Sequence, residues 1–334
     1  MAGKALQASI VGTGSSLPQM ILSNRELETI VDTTDEWITR RTGIKERRIA
    51  SKHREETSTD LATQAAVKAL DMAGIEPNQI DMIVVGTVTP DRQFPSTACM
   101  LQKTLNADRV AAFDVSAGCS GFLYALSIVN DAIRAGSCKT ALVLGVERLS
   151  TIVDWQDRGT CVLLGDGAGA VVVTATSDGG GILSTHLRAD GSLWDLLYAQ
   201  YGHEYLPEVL QDVDIKPFHL RMEGNRLFKR AIGCLSSIAT EALEHNSLTS
   251  EDIALVVPHQ ANLRIIQAMA GNLNFPMEKV FTNVHKYGNT SSASIPIALD
   301  EANRQGLLKK DDRALLVAFG AGLTWGSAIV TWSI

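Results

Sequence analysis

Cysteine is scarce: five residues in 334 (Cys99, Cys119, Cys138, Cys161 and Cys234), an odd number with no Cys-x-x-Cys pair among them. A disulfide framework and a metal site are therefore not expected, and most of the thiols read as small buried hydrophobes. Long apolar runs are missing as well. No stretch approaches the roughly 18 residues that cross a bilayer. Met1-Ala2-Gly3-Lys4-Ala5-Leu6-Gln7 carries no apolar signal segment, so a cytoplasmic protein with no membrane partner is expected. Nor is positive charge in excess: 30 Lys and Arg stand against 37 Asp and Glu, a net charge of -7, which argues against a nucleic-acid partner. What the chain has is 45% hydrophobic and 20% charged residues, enough core for one large or two modest globular domains.

Short β-rich runs alternate with longer helical patterns, the signature of an α/β protein. Residues 110–115, 141–144, 170–173, 253–257 and 314–318 are continuous apolar runs, as expected of central strands covered on both faces. The chain also repeats itself. Ile80-Asp81-Met82-Ile83-Val84-Val85 matches Ile253-Ala254-Leu255-Val256-Val257 in type, and Ala141-Leu142-Val143-Leu144 matches Ala314-Leu315-Leu316-Val317. Ile80 precedes Ala141 by 61 positions and Ile253 precedes Ala314 by the same 61, so one offset of 173 relates the two pairs. Helical patterns at 61–73 and 227–243 precede the two first strands. A duplicated α/β unit is expected, with residues 1–175 as one half and 176–334 as the other, packed as one body, and a turn at Gly179-Gly180-Gly181.

Chemistry concentrates at four places. In Asp114-Val115-Ser116-Ala117-Gly118-Cys119-Ser120-Gly121-Phe122, a strand and a small-residue turn lead into an apolar helix ended by Gly136. That sets Cys119 at a helix start, where free amide N–H groups favour a thiolate, whereas the other four cysteines lie in ordinary helical, strand or connecting patterns. His259 follows the strand pattern 253–257, at a sheet end where α/β proteins hold binding sites. His53, His186, His203, His219, His245 and His285 stand in polar surroundings and read as solvated or exposed. Asn289 lies in Tyr287-Gly288-Asn289-Thr290-Ser291-Ser292, and the offset of 173 maps Cys119 onto Ser292. The Asn289 turn is thus the pseudo-symmetric counterpart of the nucleophile turn, and its amide is a neutral donor able to polarise a carbonyl. Phe319-Gly320-Ala321-Gly322-Leu323 is a Gly-rich turn that can aim a backbone N–H at an oxyanion, and no Gly-Lys-Ser/Thr follows to suggest a nucleotide.

Together these motifs resemble the Cys-His-Asn site of the thiolase-like condensing enzymes, and most closely the β-ketoacyl-acyl-carrier-protein synthase III family. The likeness covers nearly the whole chain: Thr34-Asp35-Glu36-Trp37-Ile38 with Arg41-Thr42-Gly43-Ile44, Phe94-Pro95-Ser96, Asp157-Arg158-Gly159-Thr160, Gly165-Asp166-Gly167-Ala168-Gly169, Pro258-His259-Gln260-Ala261-Asn262 and Gly288-Asn289-Thr290-Ser291. It implies a five-layered αβαβα fold of two pseudo-symmetric halves and a homodimer.

The resemblance further implies decarboxylative condensation of a short acyl-coenzyme A primer with malonyl-acyl carrier protein, the opening step of fatty-acid synthesis. Coenzyme A would be a substrate, with no resident cofactor. Cys119 would take the acyl group, its oxyanion held by the N–H groups of Cys119 and Ala321. His259 and Asn289 would hold the malonyl thioester carbonyl. The family usually has Gly where Ala321 stands, a tolerable change because only the N–H is used. Trp37 and Arg158 match the pair that sandwiches adenine, Arg41 a phosphate contact, Gly224 and Asn262 positions beside the pantetheine arm, and Phe319 an aromatic residue near the site. Phe94 matches a residue that reaches into the neighbouring subunit's acyl pocket. Lys229 and Arg264 match positions that bind the acidic carrier; Lys229 stands in a cationic run with Lys216, Arg221, Arg226 and Arg230, and Arg264 follows His259 by five residues. The family's further lysines are here Gly271 and Asn272. Acyl transfer to another acceptor (an alcohol, amine or β-keto acid) is the alternative, and the intact Asn289 argues against it. Residues 193–213 are expected to shape the primer pocket.

Overall fold

Local chemistry sets the ends of the elements. Thr57 accepts from the Asp60 N–H and Asp60 reaches back to Thr57, a capping box that starts a helix at Ser58, and Gly74 at φ 64° ends it. The computed structural model describes residues 6–108, 110–177, 180–199 and 219–334. Among them the first half runs β1 (Gln7–Ser16), β2 (Met20–Ser23), α1 (Asn24–Leu27), α2 (Asp35–Thr42), β3 (Glu46–Ile49), α3 (Ser58–Ala73), β4 (Met82–Gly86), α4 (Thr97–Leu105), β5 (Ala111–Val115), α5 (Gly121–Arg134), β6 (Thr140–Arg148), α6 (Arg158–Cys161) and β7 (Asp166–Thr176). There follow β8 (Gly181–Ala189), β9 (Leu197–Ala199), β10 (Leu220–Met222), α7 (Gly224–His245), β11 (Leu255–Pro258), α8 (Leu263–Asn272), α9 (Val284–Tyr287), α10 (Ser294–Arg304), β12 (Arg313–Gly320) and β13 (Thr324–Thr331).

Two mixed sheets carry the fold, ordered β1-β7-β6-β4-β5 and β11-β12-β13-β8. Strand β4 pairs parallel with β6 as β11 does with β12, and β7 and β13 are antiparallel to the strands on both sides. The repeat is therefore structural. Met82 and Leu255, Thr140 and Arg313, and Gly121 and Ser294 open corresponding elements, each pair 173 positions apart. The same shift carries the 3-10 turn Gly118–Ser120 onto Ser291–Ala293.

Burial follows in five layers, αβαβα. Leu61 and Leu101 of α3 and α4 pack on Leu142 and Val172 of the first sheet. Phe122, Leu126 and Leu299 of α5 and α10 fill the space between Val143 of one sheet and Leu316 and Ala328 of the other. Leu235 and Met269 of α7 and α8 cover Val256 and Leu315 on the far side. Each such side chain contributes about 1.5–3 kcal/mol by leaving water, which explains why α5 is apolar nearly all round: it touches protein on both sides. Gly136 follows its end at φ 76°.

Several expectations need correction. Residues 110–115 are not a central strand, because β5 forms the outer edge of its sheet with Ala111 and Phe113 exposed. The helical patterns begin earlier than read, at Ser58 and Gly224, since capping and the chain's approach to the cavity extend each by about a turn. Gly181 opens β8, and Gly179 lies outside the described residues. His186 is buried rather than solvated, its ring held between Ser184 and Glu241, and His285 is half-buried. His203 and Lys216 lie outside the described residues.

Candidate active site

A cavity of about 900 Å³ opens where the two halves meet, lined by Cys119, His259 and Asn289 together with Phe319 and Ala321. The turn after β5 delivers Cys119: Gly118 takes φ 53°, which few residues with a Cβ adopt, and the 3-10 turn leads directly into α5. The Gly-rich turn of the second half lies against it. A methyl on Gly118 would stand 2.8 Å from the Ala321 nitrogen, and one on Gly320 would overlap the Cys119 backbone nitrogen. This close approach brings the Cys119 and Ala321 amides to one place. The residue is half-buried, and burial acts against the thiolate expected from the helix start and pushes the thiol up to about 12. At neutral pH the thiol keeps its proton.

His259 follows β11, its N–H bonded to the Val317 carbonyl of β12, and its side chain is buried. Burial lowers its pKa to about 3, so the ring is neutral. Ser294, the first residue of α10, places its hydroxyl 2.6 Å from Nδ1 and also accepts from the Gln260 N–H at 3.3 Å. No other acceptor for that hydroxyl proton occurs among the described residues, so it goes to Nδ1 and the ring proton sits on Nε2. Nε2 has no protein partner and lies in a residue that lines the cavity. It is a donor waiting for an oxygen.

Asn289 is held by the opposite half. Its N–H donates to Leu163 O at 2.8 Å and its carbonyl accepts from Gly165 N at 3.0 Å, a parallel bridge beside Leu164. Its Oδ1 accepts from the Ser291 N–H at 2.8 Å, which leaves both amide hydrogens for the cavity. Sequence reasoning missed Ser291, Ser294 and Glu147, the buried carboxylate at the end of β6 that accepts from Ser291 Oγ and Ser292 Oγ. A glutamate closing the otherwise apolar strand Ala141-Leu142-Val143-Leu144-Gly145-Val146 was the available signal.

The remaining residues fall in three groups. Gly224 and Asn262 line the cavity; Asn262 caps α8 through the Arg264 N–H and donates its amide to the Arg41 carbonyl, tying α2 to the cavity wall. Trp37, half-buried, has Arg158 at 4.8 Å and Arg41 at 5.5 Å from its ring centre. A base between Trp37 and Arg158 needs about 7 Å, two stacking distances, so the guanidinium must swing away before anything is sandwiched there. Phe94 is 82% exposed and is not part of the cavity wall, while Lys229 and Arg264 are exposed on α7 and α8, Arg264 over the Phe228 ring at 5.3 Å. Trp194, Leu197 and Tyr198 line the cavity, and residues 200–213 lie outside the described residues. Among the described residues no group of His, Cys, Asp and Glu is arranged to hold a metal, and no helix is long and apolar enough to cross a membrane.

Comparison with known proteins identifies the family. Residues 113–191 match the family model 3-oxoacyl-[acyl-carrier-protein (ACP)] synthase III, and residues 243–332 match that of its C terminal part. The chain is 51% identical over 328 residues to the β-ketoacyl-[acyl-carrier-protein] synthase III of Caldanaerobacter subterraneus, covering 98% of each. It superposes on the crystal structure of the Aquifex aeolicus synthase III with a TM-score of 0.90 at 51% identity, over 97% of this chain and all of that one. The Thermus thermophilus structure gives 0.91 at 43% identity, over 97% and 99%. At this identity over nearly its whole length, this chain belongs to the β-ketoacyl-[acyl-carrier-protein] synthase III family.

Proposed function

We propose that the chain condenses a short acyl-coenzyme A primer with malonyl-acyl carrier protein, releasing CO2 and starting fatty-acid synthesis. One observation carries this reading: a cysteine from the first half and two neutral donors from the second line a single cavity. Cys119 attacks the primer thioester, the Cys119 and Ala321 N–H groups hold the oxyanion, and coenzyme A departs. The malonyl thioester then gives its carbonyl oxygen to His259 Nε2–H and the Asn289 amide. Loss of CO2 leaves an enolate on that oxygen, stabilised by the same donors; its carbon attacks the acyl carbonyl on Cys119, the new C–C bond forms as the C–S bond to Cys119 breaks, and the released thiolate takes up a proton to restore the thiol. Phe319 keeps the malonyl carboxylate in apolar surroundings, which favours its departure as neutral CO2.

Coenzyme A enters as a substrate, with no resident cofactor. Its adenine displaces Arg158 from Trp37, Arg41 meets a phosphate, and the pantetheine arm passes Gly224 and Asn262. Lys229 and Arg264 receive the acidic carrier. The chain works as a cytoplasmic homodimer, a reading supported by the unpaired edge β5 and the exposed Phe94 and Phe113, which a second copy would cover. The test is incubation with acyl-coenzyme A and malonyl-acyl carrier protein, following acyl-enzyme, CO2 and β-ketoacyl product. Cys119→Ser should form no acyl-enzyme, whereas His259→Ala should acylate and then fail to condense. Equal loss of both steps in the two variants would refute the division of roles.

A further inference from the structure

Glu147 is fully buried and takes no part in the steps just described. The offset of 173 relates it to Gly320, as it relates Cys119 to Ser292. Gly320 lets its turn close on the Cys119 backbone, whereas at the counterpart a carboxyl reaches across to Ser292 and the residue before it. That carboxyl joins two segments. Its Oε1 lies 3.1 Å from Ser291 Oγ and 2.9 Å from Ser292 Oγ, and its Oε2 accepts from Thr89 Oγ1 at 2.5 Å and Val88 N at 3.1 Å, with Thr87 Oγ1 at 3.4 Å.

The hold on Ser291 bears on the donor two residues earlier. Ser291 adopts φ 48°, a left-handed backbone that a residue with a Cβ disfavours. Two bonds keep the turn in that form, since the Ser291 N–H donates to Asn289 Oδ1 at 2.8 Å and the Ser291 hydroxyl donates to Glu147. With Oδ1 engaged, the amide offers its N–H groups to the cavity that Asn289 lines. If the turn relaxes and that bond is lost, rotation of the amide sets its oxygen against the very oxygen it should stabilise. Thr87 and Val88 line the same cavity, so one carboxyl also fixes that wall relative to the Asn289 turn.

We propose that Glu147 is a positioning residue for the decarboxylation step: by tying Ser291 and Ser292 to the segment Thr87-Val88-Thr89, it holds the Asn289 amide as a donor to the malonyl thioester. The proposal rests on Asn289 having that role and concerns what keeps the amide in place. None of the groups around the carboxyl is charged, so the requirement is the shape of the hydrogen bonds and not the charge. An amide meets it. A glutamine at this position accepts from Thr89 and Val88 through its oxygen and donates to Ser291 and Ser292 through its nitrogen. Ser292 Oγ, which lies 2.7 Å from Gly86 O and has a single hydrogen, is then free to give it to that carbonyl.

The test is CO2 release from malonyl-acyl carrier protein by the pre-acylated enzyme, measured beside single-turnover acylation by acetyl-coenzyme A. It compares the parent with Glu147→Gln, Glu147→Met, Ser291→Ala, Asn289→Ala and the double variant Ser291→Ala/Asn289→Ala. Ser291→Ala and Glu147→Met are expected to slow CO2 release on the order of 10- to 100-fold, the scale of a misplaced reacting group, and to slow acylation less. Glu147→Gln should keep most of the parental rate. The double variant should release CO2 no more slowly than Asn289→Ala, because the tie acts through that amide. Effects that multiply in the double variant, or equal slowing of the two steps by Ser291→Ala, would mark a merely structural role and overturn the proposal. A loss in Glu147→Gln as deep as in Glu147→Met overturns it as well. Should Glu147→Met fail to fold, Ser291→Ala and its combination with Asn289→Ala decide. Parental CO2 release in Asn289→Ala overturns the donor role and this proposal together, whereas parental release in Ser291→Ala and Glu147→Met overturns this proposal alone.

Discussion

Ser294 Oγ stands 2.6 Å from His259 Nδ1, and through that contact the first residue of a central helix decides which nitrogen of the ring faces the cavity. Ser294→Ala removes the donor to Nδ1 and frees the ring to place its proton on either nitrogen. The expected outcome is slower decarboxylation of the malonyl thioester, by less than the roughly 100- to 1000-fold typical of deleting a direct donor. Rates of CO2 release from the pre-acylated enzyme check this, and a parental rate would show that the tautomer is fixed by something else.

The buried imidazole and thiol bend the stability curve in opposite pH ranges. Burial lowers His259 from 6.5 to about 3, so between these values the unfolded chain binds more protons and stability falls as pH drops. Cys119 is raised from 9.0 to about 12, so there the folded chain keeps a proton the unfolded chain has lost, and stability falls as pH rises. Urea unfolding followed from about pH 6.5 to 5 should be less pH-dependent in His259→Gln, and from about pH 9 to 10.5 less so in Cys119→Ala. Slopes unchanged from the parent would contradict these assignments.

Gly320 has no room for a side chain, because a methyl there overlaps the Cys119 backbone. Gly320→Ala should push the two Gly-rich turns apart and cost about 1–3 kcal/mol in stability, the usual range for overpacking. Acylation should fall with it, since the Cys119 and Ala321 amides separate. Thermal unfolding and acyl-enzyme mass measure the two effects, and a variant with parental values of both would show that the turns yield without strain.

The Trp37 ring is already covered by Arg158 at 4.8 Å. If adenine replaces that guanidinium, Trp37→Ala should raise KM for acyl-coenzyme A by about tenfold, a loss of the order expected for one stacking contact. The KM for the corresponding acyl-pantetheine, which has no base, should hardly change. Equal rises for the two substrates would place the adenine elsewhere.

Much of this was legible before any coordinates. The offset of 173 was visible because buried strands must be apolar and duplicated units keep their spacing, and the elements opening at Met82 and Leu255 obey it. Cys119, His259 and Asn289 stood out because their motifs together resemble the family's Cys-His-Asn site, and the structure brings the three to one cavity. The reading of residues 110–115 as a central strand failed for a physical reason: an apolar edge and an apolar centre have the same composition, and only pairing tells them apart. His186 was read as solvated because its neighbours in sequence are polar, whereas its neighbours in space are Ser184 and Glu241.

By itself the sequence determined the element types and the duplication, since these depend on local periodicity, and its motifs singled out the candidate site residues. Only tertiary structure decided their states. Burial keeps the Cys119 thiol protonated and the His259 ring neutral, and Ser294, 35 positions on from His259 in the chain, places its hydroxyl against that ring. Solvation and hydrogen bonding depend on what surrounds a group in space, and no spacing along the chain records that.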